Sequence, residues 1–410
     1  MLLRFRVYPI ISSIILGILI VFSNCTRDSE QDKSTTSLTP QVQQLLANAQ
    51  YSYRLNDYLT TLTVLNHFEN IAPELPAVYF LQGRVFTKLK RYQQVQQAYE
   101  KVLQLDPNYR WAHFNLGNNW YRQAKWSKAI EHYGKEIQIN PDADVYVNMG
   151  RAYAKWGKST QAKNSYRMAI EADSTYAESY YRLAELLHDE GEYREALRTA
   201  QKAVKYDHDD QEYEYLLGNI LVTLGQNEQA IPYLKSVIQS QPWHHRAYYN
   251  LGMALTRTGS TQQGENYLDK AQMLQETYQQ IDDLEIQTET HPNSFMHWIN
   301  LGDKLRETGR LNRALEAYQA ALFLEPQNLA LQNNVANLYL STGDTLSAIR
   351  RYQAILQYDP TLIDVWLNLG VVYANTGQLE NAKEAWNTVL KYQPDNTTAQ
   401  RYMSRLSEMQ

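Results

Sequence analysis

The hydrophobic and polar positions of this chain repeat with a period of 33 or 34 residues. Aromatic and aliphatic residues recur at intervals of three and four around one small residue in each period, which is typical of amphipathic helices. The small residues are Ala49, Gly83, Gly117, Gly150, Ala184, Gly218 and Gly252, and the same step resumes at Gly302, Ala336 and Gly370. The pattern predicts helices of about 13 residues, two in each period.

A second column of small residues follows seven positions after the first. It is glycine in seven periods: Gly157, Gly191, Gly225, Gly259, Gly309, Gly343 and Gly377. Glycine supplies the positive φ with which a helix ends in a tight turn. Each period is therefore predicted to be a helix-turn-helix unit. One such unit cannot bury its apolar face alone, so successive units must stack.

The two columns, a third small column five residues later and a proline near the end of most units resemble the tetratricopeptide repeat family. The resemblance covers residues 42–396. It implies an all-α fold, a right-handed α-solenoid of about ten helix-turn-helix repeats. Residues 397–410 are predicted to form a polar capping helix, which such arrays need for solubility.

The array is expected to fall into two blocks because 16 extra residues precede Phe295. Residues 42–294 form a block of seven repeats and residues 295–396 a block of three. Apolar residues at helical spacing run through the extra segment, so we expect an overlong second helix that ends near Pro292. This helix either offsets the packing of the two blocks or forms a protruding ridge for a partner.

The N-terminus has the pattern of a secretory signal, predicted to span residues 1–24. Arg4 and Arg6 form a basic start, and an apolar run from Ile10 to Phe22 follows. The single cysteine of the chain, Cys25, comes where this signal ends.

The residues before Cys25 resemble the lipobox of bacterial lipoproteins, although Phe22 and Asn24 differ from the usual leucine and small residue. The resemblance implies lipidation of Cys25, since several acyl chains hold a protein firmly on a membrane. Residues 25–41 are polar and are predicted to be a flexible tether. The expected location is the bacterial cell envelope, on the outer membrane facing the periplasm. The alternatives are a plain cleaved signal and an uncleaved anchor.

Composition and motifs argue against several other functions. The formal net charge of −5 gives no basic surface of the kind that nucleic-acid binding needs. We find no nucleotide-binding loop, zinc-protease motif or nucleophile elbow. Because the repeats occupy nearly all of the chain after the tether, we expect no enzyme activity, no cofactor, no metal site and no small-molecule substrate.

Asparagine recurs two positions before the small residue, although it is a poor helix former. When the small residue is counted as repeat position 8, asparagine holds position 6 in six repeats: Asn115, Asn148, Asn250, Asn300, Asn334 and Asn368. The family resemblance implies that position 6 faces a concave groove. A side-chain amide both donates and accepts hydrogen bonds, so this ladder is expected to bind the backbone of an extended peptide. The alternative is a row of exposed polar residues without a function.

Further groove positions carry charge. Asn118, Asn148 and Arg182 match three positions of a carboxylate-binding clamp known in the family, while its two lysines are absent. Arg151, Lys155 and Arg182, with Arg122, are expected to line one stretch of groove and to attract an acidic segment. The predicted function is a non-catalytic adaptor that binds partner proteins through peptide segments. The alternative is a structural subunit of an envelope complex that acts through its convex face and ends.

Overall fold

The computed structural model describes residues 38–55 and 57–409. The signal segment, Cys25 and most of the predicted tether lie outside these residues. The described chain consists of twenty-one α-helices and contains no strand. They are α1 (Pro40–Arg54), α2 (Tyr58–Ile71), α3 (Pro76–Lys88), α4 (Tyr92–Leu105), α5 (Ala112–Arg122), α6 (Trp126–Ile139), α7 (Ala143–Lys155), α8 (Ser159–Ala172), α9 (Ala177–Asp189), α10 (Tyr193–Tyr206), α11 (Gln211–Thr223), α12 (Asn227–Ser240), α13 (His245–Arg257), α14 (Thr261–Thr290), α15 (Phe295–Glu307), α16 (Leu311–Leu324), α17 (Leu329–Ser341), α18 (Thr345–Tyr358), α19 (Ile363–Asn375), α20 (Leu379–Tyr392) and α21 (Thr397–Met409).

The helices pack in sequential pairs. Each odd-numbered helix from α1 to α19 packs against the even-numbered helix that follows it, and each pair packs against the next. The final helix, α21, packs against α20. The all-α solenoid of ten repeats with a C-terminal capping helix is therefore confirmed.

The small residue at position 8 lets the two helices of a repeat approach closely. A Cβ atom added at Gly117 would lie 2.5 Å from Cε1 of Tyr133. Gly302 has the same relation to Tyr318, and Gly370 to Trp386. The aromatic side chain from the second helix therefore occupies the space that a larger side chain would need, and this contact fixes the pairing of the helices.

The turn between the two helices of a repeat is left-handed at one residue. The seven turn glycines predicted from the sequence all have positive φ, from 74° at Gly225 to 90° at Gly259. Lys90 and Ala124 occupy the same position in repeats 2 and 3 and adopt the same conformation, with φ of 52° and 55°. These two residues carry the steric cost that glycine avoids.

The first helix begins at Pro40, two residues before the boundary expected for the tether. Proline is well suited to the first turn of a helix because its missing N–H would have no partner there. The side chain of Thr39 accepts a hydrogen bond from the amide of Val42, at 3.4 Å, and caps the helix. The polar composition predicted that the tether includes Pro40 and Gln41. The cap at Thr39 instead begins the helix at Pro40, so both residues belong to α1.

The long helix α14 connects the two blocks. It spans Thr261–Thr290 and ends directly before the His291-Pro292 pair. Ile281 is buried in the hydrophobic core that repeats 8 to 10 share. Glu285 forms an ion pair with Arg313 of α16. The second half of this helix is thus packed against the C-terminal block, which favours the interpretation of the insertion as a packing offset.

The two ends of the array meet. Tyr58, Leu62, Val85 and Leu89 of the first two repeats belong to the same hydrophobic core as repeats 8 to 10, and α2 packs against α16. The hydroxyl of Tyr339 donates a hydrogen bond to the carbonyl oxygen of Leu55. The solenoid therefore completes a turn and closes upon itself.

Ion pairs lie at the edge of this closing contact. Nζ of Lys88 is 2.9 Å from a carboxylate oxygen of Glu316. Nζ of Lys90 is 3.4 Å from Glu289 of α14. The Lys88 and Glu316 side chains are 43% and 52% exposed, so their ion pair adds little stability. The buried apolar residues account for most of the contact.

None of the helices in the described part of the chain is long and apolar enough to cross a membrane. This includes α14, whose 30 residues are mostly polar.

Candidate functional site

The first helices of the repeats line the concave side of the solenoid. Neighbouring first helices contact each other directly, as α7 contacts α9, α9 contacts α11 and α11 contacts α13. Among neighbouring repeats, second helices approach one another less closely than this. The first helices of the N-terminal block are therefore the nearer set and lie on the inner side of the curve. That position 6 faces the groove stays a prediction.

Two asparagines of the ladder bind a second row of polar residues. Nδ2 of Asn250 donates to Oδ1 of Asn219, at 3.0 Å. Nδ2 of Asn368 is 3.4 Å from Oδ1 of Asn337. Asn219 and Asn337 hold position 9 of the preceding repeats, so these bonds connect one repeat to the next. Apart from Asn118, the residues of this second row were not predicted from the sequence, although their spacing of 31 residues from the first row is visible there.

Two other ladder asparagines bond within their own helix. Nδ2 of Asn115 donates to the carbonyl oxygen of Trp111, at 2.7 Å. Nδ2 of Asn148 donates to the carbonyl oxygen of Asp144, at 2.9 Å. Such bonds to the fourth preceding residue offer a local partner to an amide inside a helix. Both amide groups are therefore already partly occupied.

Asn300 and Asn334 have no hydrogen-bond partner among the described residues. Asn300 is exposed and Asn334 is half-buried. Both lie in the C-terminal block, on α15 and α17. Their complete amide groups are available to a ligand, with two donors and one acceptor each.

Asn118 has a structural partner. Its Oδ1 accepts a hydrogen bond from the hydroxyl of Tyr133, at 2.7 Å. Tyr133 is the ring that lies against Gly117. Tyr352 and Asn337 form the same bond in repeat 9, at 2.5 Å. An asparagine at position 9 therefore satisfies the buried tyrosine hydroxyl of its own repeat.

Within the basic stretch expected in the groove, Arg182 is neutralised by two carboxylates. Nε of Arg182 lies 2.7 Å from Glu178, and its Nη1 lies 3.0 Å from Glu185. Burial disfavours the charge of Arg182, but these two carboxylates outweigh burial and raise the pKa of the guanidinium above its usual value. Arg182 therefore already has the two carboxylate partners that a ligand would supply.

The other three residues of this stretch are Arg122, Arg151 and Lys155, and Arg122 is exposed without an ion pair among the described residues. Nη1 of Arg151 donates to Oδ1 of Asn148, at 2.9 Å, and its guanidinium lies 5.3 Å from the centroid of the Tyr121 ring. Lys155 is exposed and has no partner among the described residues. The stretch therefore keeps its positive character at Arg122, Arg151 and Lys155.

The chain belongs to the tetratricopeptide repeat family. Family models described as tetratricopeptide repeat match residues 76–109, 111–143, 153–220, 299–363 and 340–406. A model described as subunit 3 of the anaphase-promoting complex, or cyclosome, matches residues 189–271. Proteins of the tetratricopeptide repeat family are protein-interaction adaptors.

Curated relatives share only part of their length with this chain. The Hsp70-Hsp90 organizing protein of Triticum aestivum is 33% identical over 115 residues, which are 27% of this chain and 20% of that protein. The peroxisomal targeting signal receptor of Kluyveromyces lactis is 28% identical over 173 residues, 39% of this chain and 29% of that protein. The chain thus spans about a fifth to less than a third of these relatives.

Similar solved structures include MamA, which is 24% identical with a TM-score of 0.36. The match covers 40% of this chain and 96% of MamA. YrrB, described as a TPR protein with an unusual peptide-binding site, is 21% identical with a TM-score of 0.30. That match covers 67% of this chain and 99% of YrrB.

Proposed function

We propose that this protein is a non-catalytic adaptor whose concave groove holds extended peptide segments of partner proteins. The observation that supports the proposal is the pair of unpartnered side-chain amides, Asn300 and Asn334, at position 6 of adjacent repeats. A complete amide both donates to and accepts from a peptide backbone, so it binds a chain without reading its side chains. Adjacent repeats present such amides at a regular spacing, which suits an extended segment.

The paired asparagines have a different role in this proposal. Asn250 and Asn368 connect neighbouring repeats through Asn219 and Asn337. Each bond contributes about 1 kcal/mol to the cohesion of the array. The ladder is thus divided into positions that hold the groove in shape and positions that are open to a ligand.

Crosslinking in the native bacterium, followed by mass spectrometry, tests this division. The test variant is Asn300→Ala with Asn334→Ala, and the matched control is Asn250→Ala with Asn368→Ala. We expect the test variant to lose crosslinked partners while its unfolding midpoint in urea stays within error of wild type. We expect the control to lose about 1–2 kcal/mol of stability, because it removes two hydrogen bonds that connect neighbouring repeats.

Two results would contradict the proposal. Retention of every partner by the test variant would show that the open amides do not bind peptides. A comparable loss of stability in both variants would show that Asn300 and Asn334 are structural as well. A variant carrying Asn115→Ala and Asn148→Ala completes the series, and its expected loss of binding is smaller because these amides are partly occupied.

We also propose that Cys25 carries a lipid that anchors the protein in the bacterial cell envelope, on the outer membrane facing the periplasm. The support is the sequence pattern that ends at the single cysteine of the chain. Labelled palmitate should enter the wild-type protein and not the Cys25→Ser variant. Equal labelling of the wild-type protein and the Cys25→Ser variant would count against the anchor. Recovery of the wild-type protein in the soluble fraction would also count against it.

A second candidate function is an assembly subunit of an envelope complex. Exposed apolar side chains outside the groove favour it: Met273 and Ile286 of α14 are 64% and 52% exposed. Under this alternative the protein forms a stable homo-oligomer or a complex that Met273→Ser and Ile286→Ser dissociate. Light scattering after size-exclusion chromatography distinguishes the two functions. The oligomer would dissociate in the Met273→Ser and Ile286→Ser variants and would persist in the variant with Asn300→Ala and Asn334→Ala.

A further inference from the structure

A cavity of about 730 Å³ lies where the two blocks of repeats meet. One wall comes from repeats 6 and 7, through Tyr215, His244 and Arg246. The opposite wall comes from the turn of repeat 8, through Arg310. Trp243 lies close to that turn, since a Cβ atom added at Gly309 would be 3.8 Å from its ring. No single repeat contains this arrangement.

Arg310 is a buried cation without a partner. Its side chain is only 8% exposed, and its Nε is enclosed with no hydrogen-bond partner. No carboxylate among the described residues forms an ion pair with it. Burial lowers the pKa of the Arg310 guanidinium, but arginine stays charged in proteins. A buried, unpaired charge costs several kcal/mol and normally has a compensating partner.

A second unpaired cation faces the same space. Arg246 lines the cavity from the start of α13, is exposed, and has no ion pair among the described residues. Arg246 and Arg310 both disfavour a positive charge on His244 and His245. Both guanidinium groups therefore act on the same two histidines, and both residues line the cavity.

The remaining titratable groups of the cavity do not neutralise these arginines. Arg313 is paired with Glu285 outside the cavity lining. Burial, with His245 and the arginines, lowers the pKa of His244 to about 4, so its ring is neutral near pH 7. Its Nδ1 accepts from the amide of Ala247, at 3.1 Å. Glu212 is the single acidic residue that lines the cavity.

Glu212 is already directed towards the histidine. Its Oε1 lies 3.9 Å from Nε2 of His244, the nitrogen that carries the proton when Nδ1 accepts. One carboxylate can neutralise at most one of the two free arginines. The other arginine therefore has no counter-charge in the cavity lining. The lining of the cavity therefore has an excess of positive charge.

Aromatic rings surround the charged groups. The rings of Tyr215 and His244 have centroids 4.4 Å apart, and those of His245 and Tyr278 are 4.8 Å apart. Together with Trp243 they add aromatic faces to the lining of the cavity. Guanidinium groups bind carboxylates through two parallel hydrogen bonds. Aromatic rings nearby can make apolar contacts with the part of the ligand that carries the carboxylate.

We propose that Arg246 and Arg310 bind a carboxylate carried by an extended partner segment as it enters this cavity. The inference deepens the proposed function and rests on it, because the segment lies in the same groove. The site differs from the stretch of Arg151, Lys155 and Arg182, where Arg182 is already paired. It exists because α14 brings the turn of repeat 8 against repeats 6 and 7.

Fluorescence polarisation with three labelled octapeptides tests the inference on the full-length protein. The first alternates asparagine and glutamate and has an amidated C-terminus. The second alternates asparagine and glutamine and is also amidated, and the third is the second with a free C-terminal carboxylate. We expect the acidic peptide to bind at least about tenfold more tightly than the neutral amide, the effect of one charge-assisted hydrogen-bonded pair. Tighter binding of the third peptide instead would assign the site to a chain terminus.

The variants Arg246→Gln and Arg310→Gln should each abolish the preference for the carboxylate peptide. Arg198→Gln is the matched control: it removes one arginine charge from an exposed position on α10, outside the groove. We expect it to keep the preference. Equal binding of all three peptides to wild type, or a preference that survives both cavity variants, would overturn the inference.

The outcomes separate the inference from the function on which it rests. In one outcome all three peptides bind equally well, and the double variant Asn300→Ala with Asn334→Ala abolishes this binding. That outcome would uphold the groove and overturn the cavity site. A preference that needs Arg246 and Arg310 but not the asparagines would uphold the cavity site and overturn the amide groove. No binding of any peptide up to about 1 mM would overturn both.

A stability measurement distinguishes a binding residue from a structural one. Replacing an unpaired buried charge by a hydrophobic side chain of similar size is neutral or stabilising. Arg310→Met should therefore keep or raise the midpoint of thermal unfolding while it abolishes the carboxylate preference. A fall of more than about 4 °C would show that Arg310 holds the fold together, and this would contradict a role in binding.

Discussion

One hydrogen bond in the closing contact of the solenoid can be removed by deleting a single oxygen atom. The hydroxyl of Tyr339 accepts from Nε2 of Gln319, at 3.0 Å, and donates to the carbonyl oxygen of Leu55 in repeat 1. Tyr339 is 3% exposed. Tyr339→Phe removes both bonds, so Gln319 and Leu55 each lose a partner. We expect the contact between the ends to weaken by about 1–3 kcal/mol.

The next repeat provides a matched control. Tyr373 holds the same repeat position, and its hydroxyl accepts from Gln353, at 2.8 Å. Tyr373→Phe thus removes an equivalent local bond. Because the bond to Leu55 is the difference between the variants, Tyr339→Phe should exceed Tyr373→Phe by about 1 kcal/mol.

Hydrogen exchange measured by mass spectrometry resolves this difference by region. A loss of about 1 kcal/mol in a local opening raises the exchange rate about fivefold. We expect this increase in peptides from α1 and α2 for Tyr339→Phe, and no change there for Tyr373→Phe. Unchanged exchange in α1 and α2 for both variants would refute the reasoning that the Tyr339 hydroxyl stabilises the N-terminal end of the closing contact.

Two further predictions concern turns and pH. Ala124→Gly should raise the free energy of unfolding by about 1 kcal/mol, because Ala124 has a positive φ. Gly157→Ala in the next repeat should lower the free energy of unfolding by a similar amount. Urea unfolding measures both changes, and changes of the same sign would contradict the turn argument. Burial and the nearby His113 lower the pKa of His132 to about 4, and their Nδ1 atoms are 3.0 Å apart. The unfolded chain binds a proton near pH 6.5 and the folded chain does not, so stability is full above that pH and falls towards pH 4 by up to about 1.4 kcal/mol per pH unit. Urea unfolding across this range should show a smaller slope for His132→Gln than for wild type, and an equal slope would exclude this histidine as the source.

The closed ring affects how a partner reaches the groove. Residues of repeats 1 and 2 and of repeats 8 to 10 share one hydrophobic core. A long segment must therefore thread through the ring or separate these ends before it lies along the first helices. Measurement of peptide association rates for Tyr339→Phe connects the stability of the closure to access: faster association with an unchanged dissociation rate is expected if separation of the ends limits entry.

The candidate site was only partly predictable from the sequence. The period placed the asparagines at position 6 on the first helices, but did not show their hydrogen bonds. Asn250 and Asn368 bond to asparagines of the preceding repeat, whereas Asn300 and Asn334 bond to none of the described residues. This distinction depends on side-chain distances across two repeats, which a pattern within one repeat does not contain.

The sequence by itself determined the features that repeat locally. The helix pairs follow from apolar spacing, the turns from residues that adopt positive φ, and the close approach of paired helices from Gly117 and its equivalents opposite an aromatic ring. These features depend on residues within about one repeat of each other, and neighbour contacts dominate the energetics of a solenoid. The family and the number of repeats were therefore readable from the period.

Only the tertiary structure decided the closure and the cavity. Lys90 meets Glu289 across 199 residues, and Tyr339 meets Leu55 across 284. The cavity joins Arg246 to Arg310 because α14 directs the second block back towards the first. Small rotations between successive repeats add up along the array, and they alone fix where distant repeats meet. No local pattern specifies that sum, so these contacts had to be observed.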